Sequence, residues 1–421
     1  MDRRPAQPAH GVDGPAWRTT VSHRAWLDAE LRRLLRFSRD PRHPLGGFAV
    51  LDAQGRGRPD QPVHTWITGR MTHVHALAYL CGIPGSGELI DHGVTALHGP
   101  LRDHEHGGWF RAVGPDGVPD PVKDAYQHAF VVLGAAAATA AGRPGARALL
   151  DGSLEVYEAR FWDEAAGRVV ERFDRTWQRP EAYRGANSNM HAVEASLAAG
   201  DVTGDLRWHD RALRIADALI NQVARRHAWR LVEHFDADWV PQLELHRDEP
   251  AHPFRPYGTT VGHWLEWGRL LLQLEASLAS PPVWLQEAAV ALFDAAVEVG
   301  WAADGRSGFV YTLDWDDRPV VPSRMHWVVA EAIAAAAVLH ERTGEERFEA
   351  WYRTFWDHAS TAFIDLDEGS WHHELDADLA VASGTWAGKP DLYHAVQATL
   401  LPRCALAPAL APQLAATGLR G

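Results

Sequence analysis

Two kinds of helical pattern alternate along the chain, separated by short Gly-aromatic segments. The first kind spans 18–39, 86–97, 145–161, 205–224, 282–299 and 345–363 and keeps charged faces such as Glu30-Leu31-Arg32-Arg33. The second spans 70–80, 126–141, 189–199, 263–278, 325–340 and 392–401. It is apolar around almost its whole circumference, as in Val131-Val132-Leu133-Gly134-Ala135-Ala136-Ala137. A helix with one apolar stripe lies on a surface, and one apolar all round is buried. Twelve helices in six exposed–buried pairs therefore predict an all-α fold, an (α/α)6 barrel with an outer and an inner ring. An open helical solenoid would need atypical capping pairs at its ends, and the pattern has none.

The intervening segments recur. Taking Phe48, Trp109, Val170, His234, Phe309 and Trp371 as markers, the steps are 61, 61, 64, 75 and 62 residues. Asp-Gly and Asp-Asp tips with flanking alternation read as six hairpin-like excursions. Each leads to the start of an inner helix, so those starts should gather at one mouth of the barrel. His73, His128, His191, His263, His326 and His394 all stand near such starts, with Arg70 and Tyr126 among them. Six convergent histidines predict a polar cavity. In Asn187-Ser188-Asn189-Met190-His191-Ala192-Val193-Glu194, the residues Asn187, His191 and Glu194 form a polar row at i, i+4 and i+7. No interdomain linker appears, so 16–415 reads as one catalytic domain after a disordered lead-in over 1–15.

Composition narrows the chemistry. A net charge of -14 over 421 residues argues against nucleic-acid partners, because no basic face offsets phosphate repulsion. No run approaches the ~20 apolar residues of a membrane span, and residues 1–15 lack the apolar stretch of a signal peptide. Two cysteines, Cys81 and Cys404, build no disulfide framework. Reduced thiols and a cytoplasmic location are the expectation. Only Lys123 and Lys389 among 41 basic residues are lysines, which reads as codon bias rather than chemistry. Several of the 19 tryptophans lie on or beside the excursions, where rings suit the C–H faces of sugars, though most belong in the core. Nothing in the sequence specifies an oligomeric state.

Histidine-rich spots such as His104-Glu105-His106 and His372-His373 raise a metal site, but no HExxH occurs and few carboxylates converge. The expectation is no metal and no cofactor. A metal-free cavity with several imidazoles favours proton transfer near neutral pH. Carbonyl migration in a small monosaccharide needs that chemistry, with Arg70 and the histidines stabilising an enediolate. Hydrolysis competes, but a glycosidase needs two opposed carboxylates. Only Glu266 and Asp391 stand near inner-helix starts.

Over 66–410 the chain also resembles the N-acylglucosamine 2-epimerase superfamily, within it the aldose–ketose isomerase branch. The likeness is densest in Thr68-Gly69-Arg70-Met71-Thr72-His73, Tyr126-Gln127-His128, 184–195, Gly262-His263-Trp264-Leu265-Glu266-Trp267-Gly268 and Asp391-Leu392-Tyr393-His394. The resemblance implies an (α/α)6 barrel and a metal-independent isomerase. It makes His394 the base that moves a proton between C1 and C2 through a cis-enediol, and His263 the second catalytic histidine, serving ring opening. Glu266, one turn beyond His263, completes the catalytic set by orienting or tuning a histidine. Arg70, Tyr126, Asn187 and His191 hold sugar hydroxyls, and Trp327 and Asp391 join the expected substrate-binding set. Sulfosugar isomerases of this branch grip the sulfonate with an Arg just before the place of Phe254-Arg255, with two glutamines close by. Here these places are Pro253, His373 and Pro390, and proline offers neither charge nor N–H. The expected substrate is a neutral hexose: D-mannose interconverting with D-fructose, with D-lyxose and D-xylulose as side substrates. The runners-up are sulfoquinovose isomerisation and sugar 2-epimerisation.

Overall fold

A computed structural model of the chain describes residues 7–9, 11, 14–38, 40–385 and 387–419. The outer helices are α1 (Val21–Phe37), α3 (Ser86–His98), α5 (Ala146–Val156), α7 (Arg207–Ala216), α9 (Trp284–Ala295) and α11 (Glu346–His358). The inner helices are α2 (Thr65–Leu80), α4 (Ala125–Ala140), α6 (Ala186–Thr203), α8 (Val261–Ser277), α10 (His326–Thr343) and α12 (Tyr393–Leu400). Each inner helix packs on its two inner neighbours, and α12 meets both α2 and α1. That contact closes the ring and removes the solenoid alternative. Trp371 clamps the seam, its indole N–H donating to Glu30 Oε1 at 2.7 Å. Within the predicted lead-in, residues 1–6, 10, 12 and 13 lie outside the described residues. Ala9 donates its N–H to Thr354 Oγ1, and the Pro15 carbonyl accepts from Arg353.

The all-round apolar helices are buried on every side, as the pattern requires. Close approach between two of them depends on glycine. A Cβ on Gly69 of α2 would stand 2.4 Å from the Phe130 carbonyl oxygen, and one on Gly134 of α4 only 2.7 Å from the Gly69 oxygen. Four outer helices widen into π-helical turns, Tyr157–Phe161, Asp217–Ala224, Ala296–Gly300 and Ala359–Phe363. The last residues of three of these turns offer their carbonyls to the excursions: Phe161 to Val170, Gly300 to Val310 and Phe363 to His372. A short helix beyond the sixth pair, α13 (Leu410–Thr417), has no clear periodicity to announce it. It packs against α2, α4 and α6.

The excursions do more than lead into the inner helices. The two residues before an inner helix pair antiparallel with the next excursion: Val63–His64 with Ala112–Val113, Lys123–Asp124 with Arg172–Phe173, and Arg184–Gly185 with His234–Phe235. Thr259–Thr260 pairs likewise with Thr312–Leu313, and Arg324–Met325 with Glu374–Leu375. At each pairing the first helical N–H is met by a carbonyl of that next excursion. Thr65 bonds Arg111, Ala125 bonds Glu171, Ala186 bonds Glu233, Val261 bonds Tyr311 and His326 bonds His373. These bonds satisfy donors that a helix start otherwise leaves open. They also set five side chains, from Arg111 to His373, at equivalent places around the mouth.

The two lysines belong to this framework. Lys123 Nζ donates to Asp103 Oδ2 at 2.8 Å and to the Gly107 carbonyl. Lys389 repeats the arrangement with Asp365 and the Gly369 carbonyl just before α12. Both are buried. A compact ammonium with rotatable donors suits one carboxylate oxygen plus one carbonyl, so codon bias explains the missing lysines but not these two. Among the described residues no helix is long and apolar enough to cross a membrane.

Candidate active site

The inner-helix starts enclose a cavity whose empty space, mouth included, is about 730 Å³. All nine site residues singled out above line it: His394, His263, Glu266, Arg70, Tyr126, Asn187, His191, Trp327 and Asp391. Pro253, His373 and Pro390, where an anionic-sugar site would need Arg and Gln, line it as well.

Not all six histidines do. His191, His263, His326 and His394 line the cavity. His128 turns outward, its Nε2 accepting the Trp109 N–H at 3.0 Å and its ring against Phe161 and Trp177. His73 lies two turns down α2, buried with neither ring nitrogen hydrogen-bonded. A helix turns about 100° per residue, so standing near a helix start does not fix the face.

Two of the four share one design. His394 Nδ1 contacts Glu331 Oε1 at 2.9 Å, and His263 Nδ1 contacts Glu233 Oε1 and Oε2 at 2.9 and 3.0 Å. A carboxylate can only accept, so each Nδ1 donates its N–H and each Nε2 is the nitrogen left for the cavity. Trp327 separates the pair, with ring centroids 5.3 Å from His263 and 5.7 Å from His394. Burial first, then the charges of Arg70 and His326, hold His394 well below the ordinary imidazole range. It therefore rests neutral.

Glu266 contributes differently from expectation. It lines the cavity, but its ion-pair contacts are Arg269 at 3.4 Å and His191 at 4.0 Å, not His263 or His394. The carboxylates that hold the two imidazoles are Glu233 and Glu331. Burial, then the Glu331 charge, pushes Glu266 well above the usual carboxylate range, so it offers the cavity a neutral acid. Asp391 accepts the Tyr393 N–H on one oxygen and pairs with Arg70 at 3.3 Å on the other.

Arg70 is a fixed cation wrapped in rings. Its guanidinium lies 4.4 Å from the Phe130 centroid, 4.6 Å from Tyr393 and 4.8 Å from Trp66, and it donates to Tyr126 Oη at 3.1 Å. Such stacking holds the fork rigid. Burial pushes the Tyr126 hydroxyl up to about 12, so it stays a neutral donor. The polar row on α6 divides by depth. Asn187 and His191 face the cavity, while Glu194 lies beneath, accepting from Tyr393 Oη and meeting His191 Nδ1 at 3.4 Å. Burial lowers His191 to about 4, its contact with Glu194 opposing.

Arg269 occupies the floor. It contacts Glu331 at 2.8 Å, Glu266 at 3.4 Å and Glu194 at 3.7 Å. Ligand-type atoms of His191, Glu194 and Glu266, and of Glu266, Glu331 and His394, cluster closely enough to hold a metal ion. The guanidinium already supplies the positive charge those carboxylates would offer one. Glu331, Glu233 and Arg269 were absent from the residues drawn from the sequence. Glu331 and Arg269 did leave a signal, as charges in the interior of mostly apolar inner helices, which must be paired when buried. Among the described residues, tryptophan contributes Trp66 and Trp327 to the lining.

A closed (α/α)6 ring with two carboxylate-held imidazoles and a fixed guanidinium in its mouth defines a sugar-type cavity built for proton transfer. The chain belongs to the N-acylglucosamine 2-epimerase (GlcNAc 2-epimerase) family, whose model matches residues 46–398. It is 61% identical over 404 residues to the D-mannose isomerase of Thermobifida fusca, covering 96% of this chain and 99% of that protein. It is 49% identical to the D-mannose isomerase of Pseudomonas cannabina pv. alisalensis, covering 95% and 97%. A crystal structure of a D-mannose isomerase matches with a TM-score of 0.84 at 28% identity, over 93% of this chain and 99% of that one.

Proposed function

We propose that the chain is an aldose–ketose isomerase that interconverts D-mannose and D-fructose without a metal, by ring opening and 1,2-proton transfer. The observation that carries the reading is the pair of imidazoles flanking Trp327, each bonded through Nδ1 to a buried glutamate. The relatives named D-mannose isomerase support the substrate.

In the forward direction His263 moves protons at the ring and carbonyl oxygens, opening the ring to the aldehyde. His394 Nε2 removes the C2 proton, giving the cis-enediolate, and His263 relays the O2 proton to O1. The same His394 imidazolium then returns its proton to C1 as O2 becomes the carbonyl, forming the ketone and leaving both histidines as they began. Arg70 stabilises the negative charge that develops on O1 and O2, and Tyr126, Asn187 and His191 hold the remaining hydroxyls. Glu331 stabilises the imidazolium that forms transiently on His394. With Pro253 and Pro390 on the wall, the described lining residues offer no cation beyond Arg70 for an anionic tail, which favours the neutral hexose over a sulfosugar.

Because His263 and His394 flank one ring, an enediol lies within reach of both, and C2 reprotonation from the second side would yield the epimer. The test is incubation of purified protein with D-mannose, D-glucose and sulfoquinovose separately, with and without chelator. Fructose from mannose, unaffected by chelator, is the expected result, with glucose a minor product. Turnover of sulfoquinovose with mannose inert would overturn the substrate, and loss in chelator restored by a divalent ion would overturn the mechanism.

A further inference from the structure

The cavity floor holds more acid than one cation can neutralise. Glu194 of α6, Glu266 of α8 and Glu331 of α10 surround Arg269 of α8, and all four are buried. Arg269 spreads its donors over this group: Nε to Glu331 Oε2, Nη1 to Gln273 and Nη2 toward Glu266 and Glu194. Two of the three carboxyls then pass the contact upward. Glu331 meets Nδ1 of His394 on α12, and Glu194 meets Nδ1 of His191 on α6. The helices α6 and α12 face each other across the ring. One guanidinium is thus tied, through one carboxylate each, to imidazoles on opposite walls.

We propose that Arg269 is a positioning residue for the isomerisation: by holding Glu331 and Glu194 as carboxylates, it locks His394 and His191 as Nδ1–H tautomers with Nε2 turned to the sugar. The proposal rests on His394 being the base. A guanidinium never gives up its proton inside a protein, so its fixed charge favours the ionised form of the carboxyls beside it, and both oxygens of a carboxylate accept. The proton that the overcrowded group requires then resides on Glu266, a weaker contact of Arg269. Burial and the neighbouring Glu331 charge push Glu266 in that same direction.

Other charges face these imidazoles, and none can replace Arg269. His394 also faces Arg70 of α2, His326 of α10 and Asp391 ahead of α12. Arg70 is committed to Asp391 and Tyr126. His326 stacks on His373 with centroids 3.7 Å apart, and burial lowers it to about 4. Of the described groups that act most strongly on Glu331, which include Glu194 and His191, Arg269 is the permanent cation.

The test uses Arg269→Gln and Arg269→Lys in the full chain, each checked for folding by circular dichroism and Tm. Imidazole 15N–1H correlation spectra without sugar, assigned with His394→Asn and His191→Asn, should show Nδ1–H tautomers in the parent. In Arg269→Gln, His394 should move to Nε2–H. With mannose, kcat of Arg269→Gln should fall about 100-fold and that of Arg269→Lys about 10-fold, as expected for lost charge-assisted bonds, with KM within about 3-fold. The acid limb of the Arg269→Gln kcat–pH profile should also move to higher pH, because without the fixed cation Glu331 ionises, and restores the productive tautomer, only at higher pH. A purely structural arginine would leave tautomers and profile in place. If either variant folds and keeps both the parental tautomers and the parental kcat, the proposal is wrong. Arg269→Lys keeps it testable even where the glutamine variant does not fold. A parent inert to mannose would sink the functional reading alone, since the spectra of the sugar-free protein still decide the tautomer question.

Discussion

Replacing Glu331 by Gln keeps the shape of the side chain and removes its ability to accept on both sides. In the parent, Oε1 meets His394 Nδ1 at 2.9 Å and Oε2 accepts from Arg269 Nε at 2.8 Å. Arg269 can only donate, so the new amide oxygen must turn to Arg269 and the amide NH2 to His394. Nδ1 then becomes an acceptor, the ring proton moves to Nε2, and the atom that takes the C2 proton is blocked. Recovering the productive tautomer requires flipping the amide, which sets donor against donor beside Arg269. A charge-assisted bond is worth about 1.5–3 kcal/mol and a buried unpaired donor costs about 1–3 kcal/mol. The barrier should rise by about 3–5 kcal/mol, or roughly 10²- to 10⁴-fold in kcat. KM should change little, because Glu331 does not line the cavity. Initial rates of fructose formation over a range of mannose concentrations, with Tm measured on the same preparation, provide the assay. A folded Glu331→Gln enzyme with kcat within about 3-fold of the parent, or one losing only KM, would refute the tautomer reasoning.

Other consequences follow from the same coordinates. Gly69→Ala drives a methyl to 2.4 Å from the Phe130 oxygen and should destabilise by about 1–3 kcal/mol or more, read as a lower Tm; an unchanged Tm would mean that α2 and α4 can part cheaply. Pro253→Arg should raise kcat/KM for sulfoquinovose at least about 10-fold, the scale of one charged hydrogen bond. Mannose turnover without that gain would show that this wall does not select the anion. Acid should unfold the protein early. Burial holds His73 and His191 at about 4 and His75 and His128 at about 3, against an unfolded value near 6.5. Because the folded values are depressed, the stability linked to these groups is complete above pH 6.5 and is lost as pH falls through 6.5 toward 4 and 3. One unit below 6.5 each contributes a loss of about 1.4 kcal/mol. Tm should therefore drop steeply between pH 6.5 and 5, and a flat Tm there would contradict the buried, neutral assignment.

The fold was legible because the inner ring needs apolar residues all round and the outer ring needs only a stripe. The residues that touch the cavity were legible because they sit beside helix starts in short motifs. What escaped is long-range pairing. His394 and Glu331 are 63 positions apart, and His263 and Glu233 are 30, so no local spacing announces either bond. Glu266 drew attention by its spacing from His263, yet Glu233 of a distant excursion takes the imidazole and Arg269 takes Glu266. The histidine count misled at His73 and His128, where depth and face, not proximity to a helix start, decide what a side chain meets. Lys123 and Lys389 are the converse, two residues set aside as compositional residue that the fold uses at matching places in two repeats.

Proton transfer by His394 is tested most directly by running the parent and His394→Asn with D-mannose in deuterium oxide and locating the label. The parent should yield fructose carrying solvent deuterium at C1, and His394→Asn should yield neither fructose nor exchange. Fructose formed without solvent deuterium, or formed as fast without His394, would contradict the assignment of that imidazole as the base.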